Sequence, residues 1–377
     1  MVSAIQETGF SVDPQTMSAH PIQSPIATQT MKAIRKPGAA PGFAWIDAPI
    51  PTPGAGEVLI KVAMAAVCGT DYHITSWDAW SAGRIKPPLI YGHEFCGHVH
   101  ALGEGVEGEY PLKPGDYVSA EMHLPCETCR QCASGNRHIC ESVEIYGIDR
   151  PGCYAEYVVL PAKLVVRLPE NIPVEYGAFL DSLGNAVHAV SKVDVTGKTV
   201  HVAGCGPMGL FAIAVAKAEG ARAVYASDVS DFRLDLARQA GADAVHNALS
   251  GPASALWLQS TGGQGVDVVL EMSGSPQAIQ DAFTSLCKAG AMVMMGIPKG
   301  PVPLDLSNSI IFPEATIIGC NGRRIFETWD RMLALLAEDR LNLDFIITHR
   351  LPMSAFEEAM QLVGEGKSGK ILLDPSC

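Results

Sequence analysis

The chain has no apolar run close to the roughly 20 residues that a helix needs to cross a bilayer, so no membrane span is predicted. Residues 1–30 contain no Lys or Arg and no apolar segment of the signal-peptide kind, so neither an export signal nor a transit peptide is expected. Positive charge is scarce throughout, because 27 Lys and Arg oppose 40 Asp and Glu for a net charge of −13. This acidity disfavours a phosphate backbone as a partner, and we expect neither a nucleic acid nor a membrane.

The chain has 11 cysteines. Because this number is odd, at least one thiol would stay unpaired even if all the others formed disulfides. Four of them follow the spacing C-x2-C-x2-C-x7-C in a loop that contains Pro125 and Gly135. These are Cys126, Cys129, Cys132 and Cys140. Four thiolates complete a tetrahedral Zn2+ and leave no open position, so the spacing predicts a structural zinc, with disulfides or inert buried thiols as alternatives. We expect the other cysteines to be small buried hydrophobes in a reducing cytoplasm.

A second group of zinc-ligand types is mixed in kind and spread along the chain. Cys68 opens the stretch Cys-Gly-Thr-Asp-Tyr-His, and His93 and Glu94 follow in Gly-His-Glu. Catalytic zinc sites use three protein ligands and keep one position for water or substrate, which these three residues could supply. A lone Cys and a lone His are more often core residues than ligands, so spacing alone leaves that alternative open.

Length and composition predict about two domains, each with its own core, since 47% of the 377 residues are hydrophobic. Residues 1–30 are expected to form a disordered extension. From 31 to about 180, short strand patterns alternate with Pro and Gly, which is typical of an antiparallel, barrel-like domain. The predicted strands of this domain are 32–35, 57–63, 97–103, 115–120 and 155–160.

A different pattern begins near residue 181. The apolar segment 198–203 leads into Gly-Cys-Gly-Pro-Met-Gly at 204–209, and an Ala-rich helical run follows from 210 to 219. A lone G-x-G-x-x-G is a weak signal, but here it lies between the strand and the helix that a dinucleotide site requires. The first glycine permits the tight turn, the second lets the backbone approach a pyrophosphate, and the third allows the helix to pack closely on the strand. The phosphates then meet the positive end of the helix dipole.

The next predicted strand, 223–228, ends in an acid, Asp228, about 20 residues past the fingerprint. A carboxylate there accepts hydrogen bonds from the adenosine ribose hydroxyls and repels a 2′-phosphate, so NAD is favoured over NADP. Arg233, one helical turn further on, complicates this choice. The alternative role for Asp228 is the N-cap of the following helix.

Strand and helix patterns alternate to about residue 320, which predicts an α/β fold with a doubly wound parallel sheet of the Rossmann kind. The cofactor is expected along the carboxyl edge of this sheet. The predicted helices are 231–239 and 276–287, and the predicted strands are 244–246, 266–271, 291–296 and 316–319. A helix over 326–338 and short elements ending at 370–373 are expected to return to the first domain, which divides the chain into 31–180, 181–320 and 321–377.

Several motifs in order carry a family resemblance. Cys68-Gly-Thr-Asp, Gly92-His-Glu, the four-cysteine lobe and the glycine fingerprint resemble the zinc-dependent medium-chain alcohol dehydrogenases over nearly all of residues 31–377. More specific markers are WDAW at 77–80, RIKPP at 84–88, GNAVH at 184–188, FETW at 326–329 and ITHR at 347–350. Within the family, these markers favour an enzyme that acts on L-threonine.

The resemblance implies a GroES-like catalytic domain beside the Rossmann domain, and oxidation of the 3-hydroxyl of L-threonine by NAD+. It implies two zinc ions per subunit, one catalytic and one structural, in a homotetramer. The implied metal ligands are Cys68, His93 and Glu94 for the catalytic zinc and the four lobe cysteines for the structural one.

The same resemblance gives Thr70 and His73 a proton relay, and gives Asp181 the part of a displaceable fourth ligand or proton-path residue. The expected cofactor-binding residues are Gly204, Gly206, Met208, Gly209, Asp228, Arg233, Met295, Gly296, Ile297, Cys320 and Asn321. Thr70 could instead cap a turn, and His73 could be an ordinary core or surface histidine. The chain departs from the family pattern at Ser182, where a proline is usual, and around Asn321, where an aromatic is usual.

Two other functions stay open from the sequence. A polyol dehydrogenase of the same family shares both zinc groups, so the metal sites do not separate it from an enzyme that acts on threonine. A zinc-lobe protein that binds a nucleic acid or another partner is the alternative from a different class. That alternative predicts one zinc per chain where the enzyme predicts two, and it fits poorly with the acidic composition.

Overall fold

The computed structural model describes residues 29–376, so the extension expected over 1–30 lies almost wholly outside the described residues. The strands of the described part are β1 (Thr30–Lys36), β2 (Ala44–Pro49), β3 (Glu57–Ala66), β4 (Leu89–Ile90), β5 (Phe95–Leu102), β6 (Tyr117–Ala120), β7 (His123–Leu124), β8 (Glu144–Ile145), β9 (Tyr157–Pro161), β10 (Val165–Arg167), β11 (Thr199–Ala203), β12 (Ala223–Asp228), β13 (Ala244–Asn247), β14 (Val266–Glu271), β15 (Leu286–Met294), β16 (Thr316–Gly319), β17 (Ile347–Pro352) and β18 (Lys370–Asp374). The α-helices are α1 (Gly69–Ser76), α2 (Ala79–Arg84), α3 (Arg130–Ala133), α4 (Val174–Ala178), α5 (Leu180–Ser191), α6 (Pro207–Ala218), α7 (Asp231–Gln239), α8 (Ala253–Ser260), α9 (Pro276–Ser285), α10 (Glu327–Ala337) and α11 (Phe356–Gly364).

A mainly antiparallel sheet carries the metal clusters. Its strands lie in the order β10-β6-β5-β3-β18-β17, and β9 also pairs with β3. Strand β3 is central because Val58, Ile60 and Val62 are all buried in one hydrophobic core, while Lys61 is exposed. Strand β18 pairs antiparallel with β3, so the end of the chain joins this sheet. The strands predicted in this part of the chain, which correspond to β1, β3, β5, β6 and β9, are confirmed.

The second sheet is parallel throughout. Its order is β13-β12-β11-β14-β15-β16, the doubly wound order in which the first strand lies in the middle and the connections reverse beside it. Every residue of β11 is buried, as a sheet with helices on both faces requires. One core contains Val202 and Phe211 of α6, and a separate core contains Val269 and Trp257 of α8. The predicted α/β fold with a separate antiparallel sheet is confirmed.

The boundary between α9 and β15 differs from the prediction. The helix predicted over 276–287 ends at Ser285, and the strand predicted from residue 291 begins at Leu286. Strand β15 joins β14 through an irregular register, and its Ala289 has a positive φ of 56°. An Ala-Gly pair beside this irregularity interrupts the strand pattern, which explains the wrong boundary.

Helix α5 is not among the predicted helices. Nearly all of its positions are buried, so it has no polar face from which a helical period could be read. It packs against both α6 and α10. The domain boundaries predicted near residues 181 and 321 stay a prediction. Within the described chain, no helix is both long and apolar enough to traverse a lipid bilayer. Every cysteine within residues 29–376 is free.

Candidate active site and metal centres

The four lobe cysteines converge on one point, with all ligand atoms within 4.8 Å of one another. The Sγ atoms of Cys129 and Cys132 are 3.6 Å apart, and those of Cys129 and Cys140 are 3.8 Å apart. A disulfide bond of about 2.05 Å is therefore excluded here. Four sulfurs at about 2.3 Å from a tetrahedral Zn2+ stand about 3.8 Å from each other, so the cluster has the dimensions of a zinc site.

Backbone N–H groups donate hydrogen bonds to the cysteine sulfurs of this lobe and so stabilise their thiolate forms. The Cys129 N–H donates to the Cys126 sulfur at 3.3 Å, and the N–H groups of Cys126 and Ser142 donate to the Cys140 sulfur at 3.2 and 3.4 Å. Hydrogen bonds from Thr128 and from the Cys129 amide lower the pKa of the Cys126 thiol to about 6. Because the thiolate is the form that binds metal, these donors favour zinc, and four sulfurs leave no open position for chemistry.

The second cluster joins residues from separate segments. Cys68 is the N-cap of α1, and the Asp71 carboxylate accepts its N–H at 2.9 Å in a capping box. His93 and Glu94 lie between β4 and β5 and follow Gly92, whose φ is 95° and where a Cβ would collide with an aromatic ring at 2.4 Å. The ligand atoms of Cys68, His93 and Glu94 all lie within 4.8 Å of one another. We call these three residues the open centre, because three ligands leave a fourth position for another group.

The open centre is electrostatically suited to a cation. Glu94 Oε1 and His93 Nδ1 are buried and have no hydrogen-bond partner among the described residues. Burial alone lowers the pKa of His93, but the charges of Asp71 and Cys68 outweigh it and raise that pKa to about 10. The Asp71 carboxylate lies 3.7 Å from His93 Nδ1 and adds a negative charge beside the ring. A thiol, an imidazole and a carboxylate oxygen without a partner converge here, which is a donor set that Zn2+ binds, so the residues fit the metal.

A buried lysine outside the expected site residues, Lys370, pairs with Glu94. Lys370 Nζ contacts Glu94 Oε2, and it also donates to the Val67 carbonyl at 2.9 Å. Burial raises the pKa of Glu94, and the charge of Lys370 opposes that rise. Ser182, the departure from the family pattern, donates to the same Glu94 oxygen at 3.5 Å. One carboxylate oxygen is thus held by the protein, and Oε1 is left for a metal.

Thr70 and His73 lie between the open centre and solvent. They are three residues apart on α1 and therefore share one face of the helix. Thr70 Oγ1 is 3.7 Å from the Cys68 sulfur, and the His73 side chain is 54% exposed. His73 Nδ1 lies 2.6 Å from Asp78 Oδ2. The order of groups suits a proton relay, and the assignment of that role stays a prediction.

Asp181 is buried in the first turn of α5 and is held by an arginine. Arg323 Nη2 lies 2.6 Å from Asp181 Oδ1 and 2.7 Å from Glu121 Oε1, and all three side chains are buried. Asp181 is close enough for its charge to act on His93 and Glu94, but it is outside the group of converging ligand atoms. The expected part of Asp181 as a displaceable ligand or proton-path residue stays a prediction.

The glycine fingerprint joins β11 to α6 as expected. Gly204 has a φ of 97°, and a Cβ on Gly209 would lie 1.8 Å from the Gly204 carbonyl oxygen, so the third glycine permits close packing. Gly206 is the N-cap of α6, and a Cβ there would meet open space. No side chain caps the first turn, where Met208 lies. The positive end of α6 therefore faces free space of the kind that a pyrophosphate fills.

A cavity of about 740 Å³ opens beside this turn and is lined by Asp228 and Arg233. The Asp228 carboxylate accepts the Cys205 N–H at 2.7 Å and the Ser230 N–H at 2.9 Å. Ser230 is the N-cap of α7, so the alternative that Asp228 caps this helix is wrong. Arg233 Nε is buried without a hydrogen-bond partner among the described residues. These groups fit the adenosine half of a dinucleotide.

The remaining expected cofactor contacts lie at the ends of β15 and β16, on the same edge of the sheet. Met295 and Gly296 donate their N–H groups to the last carbonyl of β14 at 3.0 and 3.1 Å. Ile297 is 88% exposed, Cys320 is half-buried and Asn321 is exposed. None of these five residues lines the cavity beside the fingerprint, so their contact with the cofactor stays a prediction.

Comparison with known proteins matches both halves of the chain. Residues 54–170 match the alcohol dehydrogenase GroES-like domain, and residues 207–338 match the zinc-binding dehydrogenase model. The L-threonine 3-dehydrogenase of Pyrococcus abyssi (strain GE5 / Orsay) is 44% identical over 92% of this chain and 99% of its own length.

Two solved structures illustrate the likeness of the fold. A zinc-binding dehydrogenase from Sinorhizobium meliloti 1021, bound to NADP, superposes with a TM-score of 0.84 at 27% identity and covers 92% of this chain and 100% of its own. The 2R,3R-butanediol dehydrogenase from Bacillus subtilis gives a TM-score of 0.82 at 29% identity, and the match covers 92% of this chain and 99% of that enzyme's chain.

Proposed function

The chain belongs to the zinc-dependent medium-chain alcohol dehydrogenases, and from this premise we propose that it oxidises the 3-hydroxyl of L-threonine with NAD+ to 2-amino-3-oxobutanoate. The single observation that carries the substrate is the 44% identity to an L-threonine 3-dehydrogenase over 99% of that enzyme's length. The geometry of the open centre and of the fingerprint supports the reaction class, because a three-ligand metal site and a dinucleotide turn are its two requirements.

The residues present fit both groups that this chemistry needs. Bound zinc supplies a Lewis acid that acidifies the substrate hydroxyl, and bound NAD+ supplies the hydride acceptor. Cys68, His93 and Glu94 would hold the metal, and the buried Lys370 adds a positive charge beside them. The divalent cation and the lysine offset the negative charges of Cys68, Glu94 and the nearby Asp71. A divalent cation next to the substrate oxygen would favour the negative charge that develops on it.

Proton removal falls to the residues of α1. Thr70, next to the Cys68 sulfur, both donates and accepts hydrogen bonds, so it can pass a proton outward. The imidazole of His73 can both accept and donate a proton and is half exposed, so it can give that proton to water. The cofactor is held by the first turn of α6 and by Asp228, whose carboxylate disfavours a 2′-phosphate. This supports NAD over NADP, although Arg233 lines the same cavity.

The test is a steady-state assay of the zinc-loaded protein with L-threonine, 2,3-butanediol and sorbitol, each with NAD+ and with NADP+ in parallel. We expect L-threonine with NAD+ to give the highest kcat/KM. Turnover of a diol without turnover of L-threonine would overturn the proposal. It would establish the second candidate instead, a polyol dehydrogenase, which the likeness to the butanediol dehydrogenase favours.

The proposal extends to assembly and location. We expect a homotetramer, the common state among members of the family, working in the cytoplasm. The free state of every described cysteine supports a reducing compartment. Sedimentation velocity of the zinc-loaded protein tests the assembly, and a single monomeric species would contradict it.

A further inference from the structure

The turn between α1 and α2 aims a carboxylate at the imidazole of the relay. We infer that Asp78 is a positioning residue that keeps the proton of neutral His73 on Nδ1 and leaves Nε2 free to accept the proton released by the reaction. The inference rests on the proposed function for the relay role of His73. It adds a residue that fixes which ring nitrogen takes the proton.

The contact depends on where α1 ends. His73 Nδ1 and Asp78 Oδ2 are 2.6 Å apart although the residues are five positions apart in sequence. Five steps along a continuous α-helix turn the side chain by about 140°, which would point the two groups in different directions. Instead α1 ends at Ser76, and its C-cap residue Trp77 adopts the left-handed conformation with φ 58° and ψ 52°, so the chain folds back. Asp78 therefore faces His73.

The turn is held from outside the helix. A residue with a side chain adopts the left-handed region at a cost, and such a conformation persists where its surroundings enforce it. Here the buried Lys36 places its Nζ 4.8 Å from the centre of the Trp77 ring. The same ammonium donates to the Gly42 carbonyl at 2.9 Å and to the Thr75 carbonyl at 3.4 Å. Lys36 thus fixes the last turn of α1 and the position of Asp78.

The two oxygens of Asp78 have separate partners. Oδ1 accepts the Ser81 N–H at 2.9 Å and so caps α2, while Oδ2 faces His73. The hydrogen bond from Ser81 lowers the pKa of Asp78, and His73 contributes to the same effect, so the carboxyl is ionised at neutral pH. A carboxylate only accepts hydrogen bonds. The neutral imidazole must therefore carry its proton on Nδ1, and its Nε2 keeps a free lone pair.

The decisive variant is Asp78→Asn in the full-length, zinc-loaded protein. Asparagine is as good an N-cap as aspartate, so its oxygen can keep the Ser81 bond and α2 should stay intact. Its NH2 group then faces His73 Nδ1 and favours the tautomer with the proton on Nε2, where it blocks acceptance. We expect kcat to fall roughly 10- to 100-fold, with the KM for NAD+ unchanged, since losing the acid–base group itself would cost about 10²–10⁴-fold and this variant only misplaces its proton. Asp78→Ser can also cap α2. It should lose less kcat than Asp78→Asn, because serine does not force the His73 proton onto one ring nitrogen.

Two further measurements separate positioning from a structural role. In a His73→Asn background, Asp78→Asn should cost nothing more, because its effect passes only through the imidazole. Spectra of 15N-histidine-labelled protein should show the His73 proton on Nδ1 in the wild type and on Nε2 in Asp78→Asn, with the signals assigned by their loss in His73→Asn. Asp194→Asn, a surface aspartate that accepts the Thr196 N–H at 2.9 Å, is the matched control and should leave all readouts unchanged.

The outcomes are distinct. Wild-type kcat in Asp78→Asn, or an equal further loss in the His73→Asn background, would overturn the inference. So would a wild-type spectrum with the proton on Nε2. If the wild type is idle with L-threonine but oxidises 2,3-butanediol, the proposed substrate fails. The same cycle measured with butanediol then decides the role of Asp78.

Discussion

The two metal centres differ in how they balance charge. In the lobe, all four ligands come from residues 126–140, and neighbouring backbone amides stabilise the sulfurs. In the open centre, the ligands come from separate segments, and Glu94 is neutralised by a lysine 276 positions away. A structural metal site can thus be a local property of the chain. A centre that keeps one position open depends on the tertiary fold for its remaining charges.

The largest effect is expected from the open centre. Cys68→Ala removes one of only three ligands, so kcat/KM should fall by about 10³-fold or more, since metal-ion catalysis contributes several kcal/mol. Zinc content should drop from two to one per chain, while the thermal midpoint changes little. Elemental analysis, the steady-state assay and calorimetry measure these quantities. Cys287→Ala is the matched control, and a variant that kept both zinc ions would contradict the assignment.

The lobe should respond in the opposite way. Cys132→Ala should also remove one zinc, but turnover should stay within roughly tenfold of the wild type, because the lobe gives no group to the open centre. The loop that contains Arg130 and Arg137 should lose its fold and become sensitive to trypsin. Timed proteolysis with peptide mapping tests this. Resistance equal to that of the wild type would mean that zinc does not brace the loop.

Replacement of Lys370 tests whether the open centre depends on a distant charge for its stability. In the zinc-free protein, Lys370→Met leaves the Glu94 carboxylate buried without its partner, which should cost about 3–5 kcal/mol of unfolding free energy. Lys367→Met is the control, because its ion pair with Glu365 at 2.9 Å lies at the surface with the lysine 71% exposed. That change should cost about 0–1 kcal/mol. Denaturant titration of both variants measures the difference, and equal losses would contradict the account.

A smaller, pH-dependent effect is expected at Glu121. Burial raises the pKa of this carboxyl, but Arg323 outweighs it and holds the pKa at about 2, below the ordinary 4.5. Because the folded pKa is depressed, the stabilisation is complete above about pH 4.5 and disappears as the pH falls toward 2, by about 3 kcal/mol in total. Glu121→Gln should therefore show a flatter stability curve over that window. If the unfolding free energies of the two proteins fell by the same amount between about pH 4.5 and 2, the pairing of Glu121 with Arg323 would be refuted.

The sequence predicted the two groups of residues that converge in the structure better than it predicted their surroundings. The lobe follows from spacing alone, and the fingerprint is readable because a strand, a glycine turn and a helix are contiguous in the chain. The assignment of Cys68, His93 and Glu94 as metal ligands depended on the other motifs of the family resemblance and not on their own spacing. Lys370 and Arg323 carry no local signal, since each meets its carboxylate partner across more than 140 residues. Such partners become visible only when β18 pairs with β3 and α5 packs beside residue 323.

Secondary structure shows the same limit. Strands β11, β12 and β14 are predicted because each is a short segment rich in apolar and β-branched residues in alternation with helical patterns. Helix α5 is buried almost all round and contains Gly184, so its periodicity is hidden. Strand β15 starts before its predicted position because Ala289 interrupts the pattern. In each case, packing determined the conformation more strongly than local preference.

The most direct measurement of the central claim is zinc anomalous diffraction from crystals of the protein with NAD+. We predict two peaks per chain, one within the four lobe cysteines and one bound by Cys68, His93 and Glu94, with the nicotinamide ring beside the second metal. A single peak confined to the lobe, or a nicotinamide remote from the open centre, would contradict the account.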